Sequence, residues 1–299
     1  MSPARIRLAG APITWGVCEV PGWGHQIAPE RVLREMAELG LTATEAGPDG
    51  FLPSDPAQMA RQLAEHGLSL VGAFIPVVLH DAGRWAPERD EAVRRIGHIA
   101  AAGGDVAVLA AATGSEGYER SADLDDTQWA HLAAAVDELR EAADREGVLL
   151  TLHPHYGTVV ETAGQVDRFL RESDVALCID TGHLMVGGAD PVDVARTAGA
   201  RVRHVHLKDV DSNVAGRVRR GELTYHDAVS RGLYRPLGQG DLDIRSFFEV
   251  LDANGFSGWV VLEQDTVLSE EPPDHEGPCE AAEVSLRHLE GVIGITAGH

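Results

Sequence analysis

Residues 148–162 read VLLTLHPHYGTVVET. Val148, Leu149, Leu150 and Leu152 make the apolar run of a buried strand, and the run stops at His153 and His155, two imidazoles set either side of a proline. A short apolar run without polar alternation suits a parallel sheet covered on both faces. Imidazoles at the end of such a strand call for partners, because a buried polar group without one is costly.

Working outward, the same grammar repeats. Short apolar stretches at Ile6–Trp15, Leu41–Gly47, Leu68–Val78, Val106–Ala112, Val148–His155, Val175–His183, Val202–Asp209 and Trp259–Asp265 predict eight strands. Helical periodicity fills the gaps, as in DTQWAHLAAAVDELREAADREG (Asp126–Gly147) and DIRSFFEVLDANG (Asp243–Gly255). Several of these helices open on Asp, Pro or Thr and close on glycine, at Gly40, Gly67, Gly147 and Gly255. Eight βα units in 299 residues predict an α/β fold of the (β/α)8 TIM-barrel type, one domain over 1–299. The alternative is an open doubly wound sheet, but no GxGxxG follows the first strand. The one long irregular connection, 210–240, follows the seventh strand and reads as a lid or an unstructured insertion; GELTYHDAVSRG within it has room for a short helix.

Composition excludes several function classes. Lys and Arg total 25 against 47 Asp and Glu, a net charge of −22, which argues against nucleic acid and anionic membranes as partners. Cys18, Cys178 and Cys279 show no CxxC spacing, so neither a disulfide framework nor a thiolate zinc site is expected. No apolar run reaches the ~18 residues of a membrane span, and the N-terminus lacks a signal-peptide core, so the expected location is cytoplasmic. His25, His66, His80, His98, His131, His275, His288 and His299 fall on loops or helix faces and read as surface residues.

Active sites of such barrels lie at the C-terminal ends of the strands. Those ends carry Trp15, Glu45, His153 with His155, Asp180 with His183, then His204, His206, Lys208 and Asp209, and finally Glu263 with Asp265. Four consecutive strands ending in imidazole and carboxylate predict a metal site of nitrogen and oxygen donors. Each residue alone has a plainer reading. A histidine can bond a nearby carbonyl, and Asp180 can cap the TGHLMVGG segment. Lys208 can pair with Asp209 or another acid, and Trp15 can be core or a platform for a sugar ring.

Taken together, APITWG (11–16), EMAELGLTATEAGPDGFLP (35–53), LHPHYGTVVET (152–162), CIDTGHLMVGGADP (178–191), VRHVHLKDV (202–210), PLGQGDLD (236–243) and GWVVLEQD (258–265) resemble the xylose-isomerase-like TIM-barrel superfamily of sugar isomerases, epimerases and related lyases. Within it they are most similar to the inosose (2-keto-myo-inositol) dehydratases. The resemblance implies one divalent metal held by His153, Asp180, His206 and Glu263, with Mn2+ first and Co2+, Zn2+, Mg2+ or Fe2+ as alternatives. Many isomerases and epimerases of the superfamily carry glutamate where this chain has His153, which favours the dehydratase branch. Whether His153 or His155 faces the metal is open at this level, since strand alternation holds only while the strand is regular.

The implied reaction removes a proton α to a ketone and expels the β-hydroxyl through a metal-stabilised enediolate. For it we expect His155 as acid/base, Glu45 as a second base across the mouth, His183 as a second donor, and Lys208 on a substrate hydroxyl or the enolate charge; Trp15, Asp209 and Arg217 are placed at the substrate. The expected partner is a small keto-cyclitol or keto-sugar, with homo-oligomers common among related barrels. Competing functions are a keto-sugar or cyclitol isomerase or epimerase, elimination from a 3-keto-glycoside, and a metal-binding barrel without turnover.

Overall fold

The computed structural model describes residues 6–294, so the expectation for His299 lies outside the described residues. Its strands are β1 (Ile6–Gly10), β2 (Ala43–Thr44), β3 (Ser69–Leu70), β4 (Gly72–Val77), β5 (Val106–Ala111), β6 (Leu149–Leu152), β7 (Ala176–Asp180), β8 (Val202–Leu207), β9 (Asp209–Val210), β10 (Tyr234–Arg235) and β11 (Gly258–Leu262). Nine of them form one parallel sheet in the order β3-β2-β1-β11-β8-β7-β6-β5-β4. β3 and β4 are halves of a single stave, broken only at Val71. β3 pairs with β2, and β4 pairs with β5. Val71 N donates to Thr44 O at 2.9 Å and Val106 N donates to Val71 O at 3.1 Å, so the break itself is bonded on both sides and the barrel closes. Closure demands a glycine next to the break: a Cβ on Gly72 would lie 1.9 Å from Val106 O.

The helices are α1 (Pro29–Glu38), α2 (Pro56–Glu65), α3 (Trp85–Ala101), α4 (Asp126–Glu146), α5 (Ala163–Glu172), α6 (Thr181–Val186), α7 (Pro191–Ala198), α8 (Ser212–Arg219), α9 (Tyr225–Ser230), α10 (Ile244–Ala253) and α11 (Pro278–Ile293). Their starts follow local chemistry. Asp125 with Gln128, and Thr162 with Gln165, form capping boxes on α4 and α5, and Gly147 ends α4 in the left-handed region at φ 72°. The apolar faces of these helices and of the strands share one core that includes Leu33, Ile96, Leu139, Phe169 and Phe247. Inside the barrel lies a second cluster of small residues, among them Ala9, Ala43, Val108, Cys178 and Val261. Because side chains alternate along a strand, the residues two further on from Ala43, Cys178 and Val261 share that inner face: Glu45, Asp180 and Glu263. Small residues below and acids above make the barrel floor apolar and its mouth polar. No helix among the described residues is long and apolar enough to cross a membrane. None of His25, His66, His80, His98, His131, His275 or His288 is buried.

The 210–240 segment corrects the expectation of an irregular stretch. It holds α8 and α9, and β9 pairs antiparallel with β10. Asp211 caps α8 and Thr224 caps α9. Val210, Val218, Tyr225, Val229 and Tyr234 pack with Trp23 and Val186 into a core of their own. The segment is therefore a docked roof over one side of the mouth. Two residues placed at the substrate are corrected with it. Asp209 is fully buried, and its carboxylate accepts from the backbone N–H of Val210, Gly238, Gly240 and Leu242 at 2.8–2.9 Å. Arg217 lies on α8 with its side chain 45% exposed, 3.5 Å from Glu222, and takes no part in the cavity lining.

Replacing Asp209 by Ala strands several backbone donors at once. Asp209→Ala is expected to lower unfolding free energy by about 3 kcal/mol, while Arg217→Ala stays within about 0.5 kcal/mol of the parent. Urea unfolding of both variants checks this, and equal effects would refute the assigned role of Asp209.

Candidate active site

A cavity of about 680 Å³ opens at the C-terminal ends of the strands, within the range of small-molecule sites. His153, His155, His183, His206, Lys208, Glu45, Glu263 and Asp265 all line it. Their assembly starts from Glu45 at the end of β2. Its Oε1 accepts from His204 Nε2 and His206 Nε2, both at 2.9 Å. A carboxylate oxygen only accepts, so both imidazoles must donate from Nε2. Burial opposes the charge on Glu45, but His206 and His204 outweigh it and hold the carboxyl well below its usual range. In this geometry Glu45 orients two imidazoles.

With Nε2 committed, His206 presents Nδ1 to the cavity floor. That atom is buried without a hydrogen-bond partner, 3.2 Å from Glu263 Oε2 and 3.7 Å from Asp180 Oδ2. Burial alone would lower the His206 pKa, but the Glu263 and Glu45 carboxylates raise it well above the ordinary value. A cation between those carboxylates would take the place of that proton. His153 is oriented in the same manner: Nδ1 donates to Pro154 O at 2.9 Å, which leaves Nε2, 3.5 Å from Asp180 Oδ2, as its free nitrogen. Burial, reinforced by His206 and Lys208, lowers its pKa despite Asp180. Donor atoms of His153, Asp180 and His206 lie within 4.8 Å of one another, as do those of Glu45, His206 and Glu263. The His–carboxylate set fits a divalent ion of borderline softness, and the outer bonds to Glu45 and Pro154 fix the tautomers that such an ion needs. His155 is absent from both groups, so the geometry favours His153 over His155 as the donor.

Asp180 serves two purposes. Oδ1 accepts from His183 N at 2.8 Å and caps α6; Oδ2 accepts from Lys208 Nζ at 2.6 Å. Lys208 also contacts Glu263 Oε2 and lies 3.3 Å from Asp265 Oδ1, so its partners are these acids and not Asp209. Burial works against the ammonium, but Asp180, Asp265 and Glu263 keep its pKa well above the usual value. Asp265 is pushed up to about 6, because burial together with Glu263 and Asp180 outweighs Lys208.

His155 packs against His183 with ring centroids 3.7 Å apart and against Tyr118 at 4.2 Å. Its Nδ1 donates to Tyr156 O at 2.6 Å, which leaves Nε2 free. Burial, with His153 and Lys208, lowers its pKa well below the ordinary imidazole value. His183 is lowered in the same direction by burial and by His155. Trp15 is corrected: it is buried outside the cavity lining and donates from Nε1 to Glu35 Oε2 at 2.7 Å.

Several lining residues were not singled out from the sequence. Tyr225 donates to Asp265 Oδ2 at 2.7 Å and shares a 2.9 Å contact with Tyr234, whose hydroxyl is 3.5 Å from His183 Nδ1. Tyr118, Phe74 and Trp23 complete the aromatic wall. Tyr225 and Tyr118 come from connections with no strand-end pattern. Asp265, at the end of the last predicted strand, was among the strand-end acids read from the sequence.

A family model described as xylose isomerase-like TIM barrel matches residues 33–289. The inosose dehydratase of Geobacillus kaustophilus is 31% identical over 304 residues, covering 98% of this chain and 96% of that relative. Among solved structures, an L-ribulose 3-epimerase matches with TM-score 0.68 at 18% identity, covering 96% of this chain and 93% of that one. The IOLI protein with a binding zinc atom matches with TM-score 0.69 at 15% identity, covering 96% and 98%. At those identities the structural likeness is one of fold.

Loss of the Glu45 charge should loosen the His206 tautomer. We expect Glu45→Gln to weaken binding of Mn2+ or Zn2+ by roughly 10- to 100-fold, read by calorimetric titration of metal-free protein. Unchanged affinity would rule out Glu45 as the orienting group.

Proposed function

The chain belongs to the xylose isomerase-like TIM barrel family, and from that premise we propose that it is a cytoplasmic, metal-dependent dehydratase of a cyclic keto-polyol of the inosose class. The observation that carries this reading is a run of donor atoms, His153 Nε2 to Asp180 Oδ2 at 3.5 Å, Asp180 Oδ2 to His206 Nδ1 at 3.7 Å and His206 Nδ1 to Glu263 Oε2 at 3.2 Å, with both imidazoles oriented by outer bonds. The similarity to inosose dehydratase over nearly the whole chain supports the same choice.

A divalent ion bound there, Mn2+ by our first expectation, would polarise the ketone and an adjacent hydroxyl. The remaining work falls to the chain's own residues. His155 lines the cavity with its Nδ1–H tied to Tyr156 O and its Nε2 free, the geometry of a group that takes the proton α to the ketone. The Lys208 ammonium is the group to meet negative charge on a substrate oxygen. His183, stacked on His155 and close to Tyr234, is placed to orient a substrate hydroxyl. The β-hydroxyl departs with the C–O electron pair, takes up one proton and leaves as water, and the ring retains a conjugated enol ketone. The roof that carries Tyr225 and Tyr234 keeps bulk water from this side of the mouth.

The test is metal-loaded protein with 2-keto-myo-inositol, followed by ultraviolet absorbance and NMR. Loss of water with a new band from the enolised dione is the expected result. Deuterium uptake from solvent, or a new stereoisomer without loss of water, would transfer the assignment to a keto-sugar or cyclitol isomerase or epimerase. His155→Ala should reduce kcat by about 10²- to 10⁴-fold while metal affinity changes little, and an α-proton exchange rate equal to that of the parent would remove His155 from the base role.

A further inference from the structure

A hydroxide is a poor leaving group, so the β-oxygen needs a proton as it departs. The donors that line the cavity are mostly committed elsewhere. Lys208 Nζ is shared among Asp180, Glu263 and Asp265. Trp23 Nε1 donates to Thr266 O at 2.8 Å, and the Tyr118 hydroxyl donates to Glu19 on the connection after β1. Tyr225 differs from these in what stands behind it. Its hydroxyl donates to Asp265 Oδ2 at 2.7 Å and lies 2.9 Å from the Tyr234 hydroxyl, which in turn is 3.5 Å from His183 Nδ1. A phenol both donates and accepts, so Tyr234 can replace a proton that Tyr225 gives up.

The chain fixes Tyr225 from several directions. It is the first residue of α9, and the carboxylate of Glu119, on the β5–α4 connection, accepts from the backbone N–H of Tyr225 at 2.8 Å and of His226 at 3.1 Å. Its ring stacks on Tyr156 with centroids 5.2 Å apart and lies 6.0 Å from the ring of His183, which packs against His155. Tyr156 therefore serves two groups: its carbonyl holds His155 Nδ1 and its ring supports Tyr225. We propose that Tyr225 is the acid of the elimination, its hydroxyl giving a proton to the departing β-oxygen. The assignment rests on the dehydration proposed above. The α-proton goes to His155, the C–H electron pair forms the double bond, and the C–O pair stays on the departing oxygen. That oxygen takes the Tyr225 proton and leaves as water. One proton gained at His155 and one lost at Tyr225 cancel, so proton exchange restores the site and no oxidant or reductant is consumed.

The experiment uses Mn2+-loaded protein with 2-keto-myo-inositol and with its analogue that carries fluorine in place of the β-hydroxyl. Fluoride departs without a proton, so its release bypasses the acid. Water loss, fluoride release and α-deuterium exchange are followed for the parent and for Tyr225→Phe. Tyr225→Phe is expected to slow water loss by about 10²- to 10⁴-fold and fluoride release by less than about tenfold, with the ratio of α-exchange to water loss raised about tenfold or more. Equal slowing of water loss and fluoride release, or water loss at the parent rate, would overturn the assignment and leave the dehydratase reading standing. A parent protein that expels neither water nor fluoride would overturn both. Should Tyr225→Phe not fold, Tyr234→Phe decides, because it keeps the acid and removes the hydroxyl behind it. Water loss slowed about tenfold more than fluoride release upholds the assignment, and equal slowing overturns it.

Discussion

One carboxylate oxygen, Glu45 Oε1, accepts two imidazole N–H groups, and the polarity of the barrel mouth follows from it. Because both His204 and His206 must donate from Nε2, His206 has only Nδ1 to present to Asp180 and Glu263. Had Nε2 been free, the same ring in the same place would aim its lone pair at β2. The donor set at the strand ends therefore depends on a bond made one layer behind it.

That arrangement is costly in folding terms. Asp180, Glu263 and Asp265 are buried around the single ammonium of Lys208, and Glu45 is buried against His204 and His206. Buried carboxylates without matching positive charge are destabilising. The barrel accommodates them because the layers below are uniformly apolar and closed, from the Ala9, Cys178 and Val261 cluster to the outer helices. Buried carboxylates gather at the mouth, and Asp209 and Glu35 are buried elsewhere.

The roof applies the same logic at a second place. A fully buried Asp209 gathers four backbone donors from its own β9 and from the 238–242 turn. This anchors the two ends of a long insertion beside each other. Between them α8 and α9 can pack on Val186 and Trp23 and bring Tyr225 to Asp265. An acid that in sequence looks like one more strand-end ligand thus works on the backbone, and two tyrosines far along the insertion face the cavity or its histidines.

The sequence by itself determined the repeat of strand and helix, the closed parallel barrel, and the set of acids and imidazoles that end strands five to eight. These are local properties: apolar runs, caps, and the two-residue alternation of a strand. It also carried the resemblance that pointed to His153 as a donor. Only the tertiary structure decided which members of that set meet. Alternation tells which face a residue shares, but barrel closure decides which atoms come within bonding distance across strands remote in sequence. Glu45 and His206 are 161 residues apart, so nothing local could show that Glu45 orients His206. Trp15 and Glu35 pair through space in the same way, which turns an aromatic at a strand end into core. The rest was hidden for the same reason: hydrogen-bond direction and side-chain packing are set by partners that only the closed fold brings together.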